Sequence, residues 1–74
     1  MEEVTISPTS SLVDQTILDA NLRQRFGVIV VGIQRQDRRM EFNPEPGTMI
    51  RTGDKLVVLG RAESLKSLEA EASK

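Results

Sequence analysis

The chain has 74 residues, ten basic and eleven acidic, with a net charge of -1, no Cys, no His and 3% aromatics. This composition excludes disulfide and Cys/His metal staples, and it argues against the positive field and stacking rings of a nucleic-acid binder. One domain fits, and a core this small is marginal by itself, so association with a second copy or a neighbouring domain is expected.

In chain order, Glu3 to Ser7 alternates Val4 and Ile6 with polar residues, the period of a strand, and Pro8 ends it. A helix is expected next. Leu18, Leu22 and Phe26 recur every four residues with Ile17 beside them, giving one apolar stripe. Thr16, with Asp19 three residues on, forms a capping-box-like start, with Asp14 as the competing N-cap. Asp19 and Arg23 have the spacing of an ion pair on the wet side, and Gly27 suits the left-handed helix end.

The β-branched run Val28 to Ile33 suits a strand covered on both faces. At six residues it is far shorter than the ~20 needed to cross a bilayer. Gln34 to Arg39 is a polar turn, and Arg39 to Phe42 is the returning arm of a hairpin, with Met40 and Phe42 on one face. The prolines make Asn43 to Gly47 a rigid loop. Thr48 to Arg51 is a brief extended piece, and Thr52-Gly53-Asp54 turns into the strand Lys55 to Leu59. After Gly60, a second helix from Ala62 to Ala72 places Leu65, Leu68 and Ala72 on its apolar side, and the end from Glu69 to Lys74 is expected to fray.

The expected order is β-α-β-β-(β)-β-α without internal repeats. Neither helix can hide its stripe except against a sheet, which predicts a two-layer α/β (α+β) module occupying residues 1–74 as a single domain. The missing Cys and His remove the common nucleophile–base pairs, no acidic pair has general acid/base spacing, and the dispersed glycines form no phosphate loop. The chain is expected not to be an enzyme and to need no cofactor or metal. The acidic N-terminus Met1-Glu2-Glu3 lacks the order of a signal peptide, so a cytoplasmic chain is expected.

The segments Asn21-Leu22-Arg23-Gln24-Arg25-Phe26-Gly27-Val28 and Val30-Val31-Gly32-Ile33 resemble the TrkA-C family, the C-terminal subdomain of RCK (regulator of potassium conductance) proteins. The series Asn43-Pro44-x-Pro46-x-Thr48-x-Ile50-x-x-Gly53-Asp54-x-Leu56-x-Val58-x-Gly60 follows that family's loop-and-strand order. Leu12-Val13-x-x-Thr16-Ile17 also fits, with Asp14 where the family often has Gly. The resemblance implies a mixed-sheet α/β fold that pairs as a homodimer and follows a nucleotide-binding RCK domain. A 74-residue chain of this kind is then expected to be excised from a longer one.

In such proteins the dimer biases a ring that opens or closes a membrane ion pathway. Some members bind cyclic di-AMP in the dimer cleft, against the end of the first helix and the strand after it; others bind cations. Carried onto this sequence, the candidate ligand-binding residues are Leu22, Arg23, Arg25, Val28, Ile29, Asn43 and Pro44. Binding members often carry Asn at the position of Ile29.

Each candidate also has a plain structural role. Arg23 and Arg25 favour the negative end of a helix dipole and face water; alternatively they hold phosphates with their guanidinium forks. Leu22, Val28 and Ile29 serve as core or dimer contacts, or pack on a purine. Asn43 and Pro44 form a preset turn or border the cleft. Gly53 and Asp54 read as a turn. Arg35, Asp37, Arg38 and Arg39 read as a solvated hairpin tip, with contact to a partner domain as the alternative.

Two functions follow. One is a regulatory, ligand-sensing dimer serving a potassium channel or transporter at the inner face of the membrane. The other is a structural dimerisation module of a cation transporter or antiporter, with no ligand of its own. Neither calls for nucleic acid or membrane insertion.

Overall fold

The computed structural model describes residues 1–74. Its strands are β1 (Glu2–Thr5), β2 (Ile29–Gln34), β3 (Met40–Phe42) and β4 (Lys55–Leu59), and its helices are α1 (Ile17–Ala20), α2 (Leu22–Phe26) and α3 (Ala62–Ala72). The sheet order is β1-β4-β2-β3 and every neighbouring pair is antiparallel. The expected two-layer α+β architecture is therefore present, but the mixed sheet is not. β1 and β2 run the same way with helices between them, as a parallel unit requires. β4 is inserted between the two, pairing Val4 with Leu56 on one side and Ile33 with Leu56 on the other.

The buried core is Val4, Ile6, Leu12, Ala20, Leu22, Val28, Ile33, Ile50, Leu56, Val58, Leu68 and Ala72, with Val13, Ile17, Phe26, Val30 and Leu65 packed at its margin. Leu68, Ala72 and the half-buried Leu65 are the expected α3 stripe. Full burial of one such aliphatic side chain stabilises by about 1.5–3 kcal/mol, an upper estimate because denatured chains are already partly collapsed.

The C-terminal end does not fray. Ser7 donates its backbone N–H to the Ala72 carbonyl at 2.8 Å, and Ser10 Oγ donates to the Glu71 carbonyl at 2.9 Å. Ser7 and Thr9 hydroxyls donate to the Lys74 carbonyl, and Ser11 Oγ donates to the Glu71 carboxylate. The serine-rich segment after β1 thus supplies the donors that the last turn of a helix lacks.

The hairpin turn also departs from its expected role. Arg35 is only 19% exposed in its side chain. Its guanidinium donates to Glu41 Oε2 at 2.7 Å, to the Met49 carbonyl at 2.9 Å and to Asp54, which is 2% exposed. Asp54 also accepts the Arg51 N–H at 2.8 Å. Burial works against the Arg35 charge, yet the hydrogen bond with Glu41 and the Asp54 carboxylate outweigh it and hold its pKa above the usual arginine value. Asp37, Arg38 and Arg39 stay exposed, as expected of a hairpin tip, with Arg39 and Asp37 paired to each other. The Asp54 turn is where it was expected, with this ion pair added.

Two outcomes follow for stability. Removing Arg35 strands a buried carboxylate, so Arg35→Ala lowers unfolding free energy by about 3 kcal/mol in urea titration, while Arg39→Ala at the exposed pair changes it by less than about 0.5. Glu71 is held below the ordinary glutamate pKa by the Ser11 hydroxyl first and by Lys74. A carboxylate lowered in the folded state stabilises above its unfolded pKa and loses that contribution as pH falls through the folded one. Glu71→Gln therefore flattens the acid side of the stability–pH curve and leaves its neutral-to-basic side unchanged in slope.

Candidate functional site

A groove of about 470 Å³ opens where the first helical segment meets the start of β2. Its walls are Ile17, Leu18, Asn21, Leu22 and Arg23 from α1 and α2, Val28, Ile29 and Val30 from the β2 side, and Pro44 and Pro46 from the loop after β3.

Helix geometry sets the near wall. Thr16 caps α1, its hydroxyl accepting the Asp19 N–H at 3.0 Å, as the sequence predicts. The single long helix does not form. Asn21 adopts a left-handed backbone (φ 51°) and divides it into α1 and α2. Asn tolerates that conformation better than most residues because its short amide can bond locally; here Nδ2 donates to Gln24 Oε1 at 3.2 Å. The break turns the expected stripe: Leu22 is buried and Phe26 half-buried, but Leu18 is left 68% exposed at the groove. It also removes the regular spacing between Asp19 and Arg23, which form no ion pair. Gly27 closes α2 in the left-handed region (φ 73°), its N–H bonding the Arg23 carbonyl at 2.9 Å.

The far wall is fixed through the loop. Leu18 N–H donates to the Pro46 carbonyl at 3.0 Å and Ile17 N–H to the Thr48 carbonyl at 2.9 Å. Thr48 to Arg51 makes only an isolated bridge, Thr16 with Met49, rather than a strand. That short staple holds Pro44 and Pro46 opposite α1.

Five of the sequence-derived candidates converge here: Leu22, Arg23, Val28, Ile29 and Pro44. Leu22 and Val28 are almost wholly buried, so they act as the groove's inner wall. Ile29 is 54% exposed, which corrects the expectation of a strand covered on both faces; the helices cover only one. Arg25 points elsewhere. Its guanidinium lies 4.9 Å from the Phe26 ring centre and donates to the Ala20 carbonyl at 3.3 Å. Asn43 is exposed in a left-handed turn (φ 47°), next to the groove but not in its wall.

Arg23 is the one cationic side chain in the groove wall, and it makes no ion pair within the chain. The site therefore offers apolar contact surface with a single uncommitted guanidinium at its rim. Such a combination suits a ligand with flat apolar parts and an anionic group. Ile17, Leu18, Asn21, Val30 and Pro46 are groove residues that were not among the candidates drawn from the sequence. The alternation of Pro44 and Pro46 was the available signal for the last; the helix break gave none.

Comparison with known proteins identifies the family. The TrkA-C domain model matches residues 1–73, and the chain belongs to that family. A probable potassium channel protein 2 of Methanocaldococcus jannaschii is 32% identical over 69 residues, covering 93% of this chain and 20% of that protein. YrvC of Bacillus subtilis is 37% identical over 59 residues, covering 80% of this chain and 36% of YrvC. The chain thus spans about a fifth to a third of the length of these relatives.

Among solved structures, the RCK C domain of the potassium transport protein KtrA, in complex with cyclic diadenosine monophosphate, superposes with a TM-score of 0.79. It is 25% identical, and the match covers 93% of this chain and 80% of that one. The RCK_C domain dimer of S. agalactiae BusR, also with c-di-AMP, shares the fold at a TM-score of 0.87 and 20% identity, covering 95% and 91%. BusR has also been solved with its promoter DNA, there with 34% of the BusR chain matched. The expectation of no nucleic-acid partner, drawn from charge balance, is therefore not carried by the fold, which BusR shares.

The helix break gives a direct test. Asn21→Ala places a Cβ-bearing residue without a bonding amide in the left-handed region and costs about 1 kcal/mol or more by chemical denaturation, whereas Asn21→Gly is nearly neutral.

Proposed function

We propose that this member of the TrkA-C family is the ligand-sensing regulatory domain of a potassium channel or transporter, and that it works as a homodimer whose joint groove takes a small anionic ligand. The observation that carries the reading is the uncommitted Arg23 beside an apolar wall of Leu18, Ile29 and Pro44. A two-fold axis near this groove brings a second Arg23 toward the first. Two like charges facing each other disfavour pairing, and an anion seated between them reverses that penalty.

Cyclic di-AMP has the required chemistry: two phosphates for two guanidinium groups and two purines for two apolar walls. Its presence in the KtrA complex supports the choice. Ile29 contributes packing where a polar side chain would contribute a hydrogen bond, so purine recognition here rests on shape. Leu22 and Val28 support the wall from behind. Asn43 and Pro44 set its far edge, and Arg25 contributes charge from outside it.

Regulation follows from differential affinity. A ligand shifts gating only as far as it binds one arrangement of the two copies more tightly than another. In the full protein a nucleotide-binding RCK domain precedes this module and passes the change to a membrane pore or transporter subunit, which places the module at the cytoplasmic face. The role is regulatory, with no catalytic step. No helix of the chain is long and apolar enough to cross a membrane.

Isothermal titration with cyclic di-AMP tests the reading. Saturable heat is expected at one ligand per two chains, and Arg23→Ala weakens binding at least about tenfold, the effect of losing charge-assisted hydrogen bonds. A flat thermogram at high micromolar ligand removes cyclic di-AMP. Dimers that persist without any response to it favour the purely structural module instead.

A further inference from the structure

The two edges of the segment Thr48 to Arg51 are satisfied differently. Toward α1, Ile17 N–H donates to the Thr48 carbonyl at 2.9 Å, Ile50 N–H to the Gln15 carbonyl at 2.8 Å and Asp14 N–H to the Ile50 carbonyl at 2.7 Å. Successive residues of an extended segment direct their backbone groups to opposite sides, so the Met49 carbonyl and the Arg51 N–H face away from α1. No strand pairs with them there. Side chains take its place. Arg35 Nη1 donates to the Met49 carbonyl at 2.9 Å, and Asp54 Oδ2 accepts the Arg51 N–H at 2.8 Å. The same Nη1 donates to the same Asp54 oxygen, so the donor and the acceptor are locked to each other.

That segment sets the far wall of the groove. Apart from a turn closed between Glu45 and Thr48, the backbone from Pro44 to Gly47 makes one bond, from Leu18 N–H to the Pro46 carbonyl at 3.0 Å. The two prolines have no N–H to add others. Pro44 and Pro46 therefore stand where the residues that follow them are held.

We propose that Arg35 and Asp54 are positioning residues for the groove: the pair stands in for an absent strand, clamps Thr48 to Arg51 against the entry to α1, and so fixes Pro44 and Pro46 opposite Leu18 and Ile29. Neither side chain of the pair lines the groove. A buried ion pair adds little net stability over apolar residues of the same size, whereas its directed bonds select one arrangement of the segments they join. The exposed tie from the Arg51 guanidinium to Asp14, at 2.8 Å, lies in water and holds the segment less firmly.

Hydrogen exchange by NMR, with ligand titration, separates this role from plain stabilisation. The amides to read are those of Ile17 and Leu18, which bond across to Thr48 and Pro46. Exchange through local opening is nearly flat in urea because little surface is exposed, whereas exchange through global unfolding quickens as urea rises. In Arg35→Ala both amides are expected to exchange at least about tenfold faster, at a rate still flat in urea, the effect of losing a charge-assisted hydrogen bond. Arg39→Ala, at the exposed pair, leaves them unchanged. Asp54→Asn keeps an acceptor for Arg51 but removes the charge that draws the guanidinium inward; the same effect is expected, and it serves where Arg35→Ala does not fold. Unaltered exchange at Ile17 and Leu18, or a rise only in the urea-dependent exchange, overturns the clamp. The part in ligand binding rests on the function proposed above: the folded variant is expected to bind cyclic di-AMP at least about tenfold more weakly. A loosened segment with unchanged affinity rejects the positioning role. A flat thermogram for the unaltered chain overturns the proposed ligand, while the exchange rates still decide the clamp.

Discussion

The insertion of β4 between β1 and β2 is the constraint on which the other features depend. β1, the helical segment and β2 have the order of a parallel crossover, which needs a strand pair to close on. Because β4 takes the space between them, β2 is left with one full partner and a short one. Leu56 and Val58 of β4 are fully buried beneath the helices and join Val4 on one side to Val30 and Ile33 on the other. The ion pair between Arg35 and Asp54 anchors the start of the same strand to the β2–β3 turn. With β4 fixed in this way, the beginning of β2 sits against the end of α2, and the groove forms at their junction.

The groove itself depends on two local departures from regular structure. Asn21 interrupts the helix, and Asn43 with Pro44 interrupts the hairpin. A continuous helix would carry Leu18 in line with Leu22 and bring Asp19 alongside Arg23, giving a closed apolar stripe and a neutralised cation. The break leaves Leu18 exposed and Arg23 unpaired instead. On the other wall, an uninterrupted β3 would cover Ile29 and Val30. Natural sequences accept such local costs where the unsatisfied surface has a use.

A chain of this size that leaves Ile29, Leu18 and Leu59 in water gains from covering them, and a partner shifts the folding equilibrium by mass action. In the function proposed above, the same surface also takes the ligand. In that proposal, an anion seated between two Arg23 side chains changes the preferred arrangement of the pair without reshaping either core.

The sequence by itself determined the elements whose causes are local. Period-two alternation marked β1, the β-branched run marked β2, Thr16 and Gly27 marked the ends of the helical segment, and the range of α3 was read from Ala62 to Ala72 as it stands. The resemblance over Asn21 to Ile33 and at the Pro44–Pro46 loop gathered five residues that do converge on one groove. Tertiary structure decided the rest, because those features depend on partners distant in the chain. The antiparallel sheet follows from where β4 inserts, not from any one strand's pattern. Arg35 left the solvated turn because Asp54, nineteen residues away, needed a buried counter-charge. The C-terminus is held by serines more than sixty residues earlier. Hydrophobic period and capping chemistry act over a few residues and are written in them; charge burial, sheet order and the exposure of Ile29 are set by which surfaces meet.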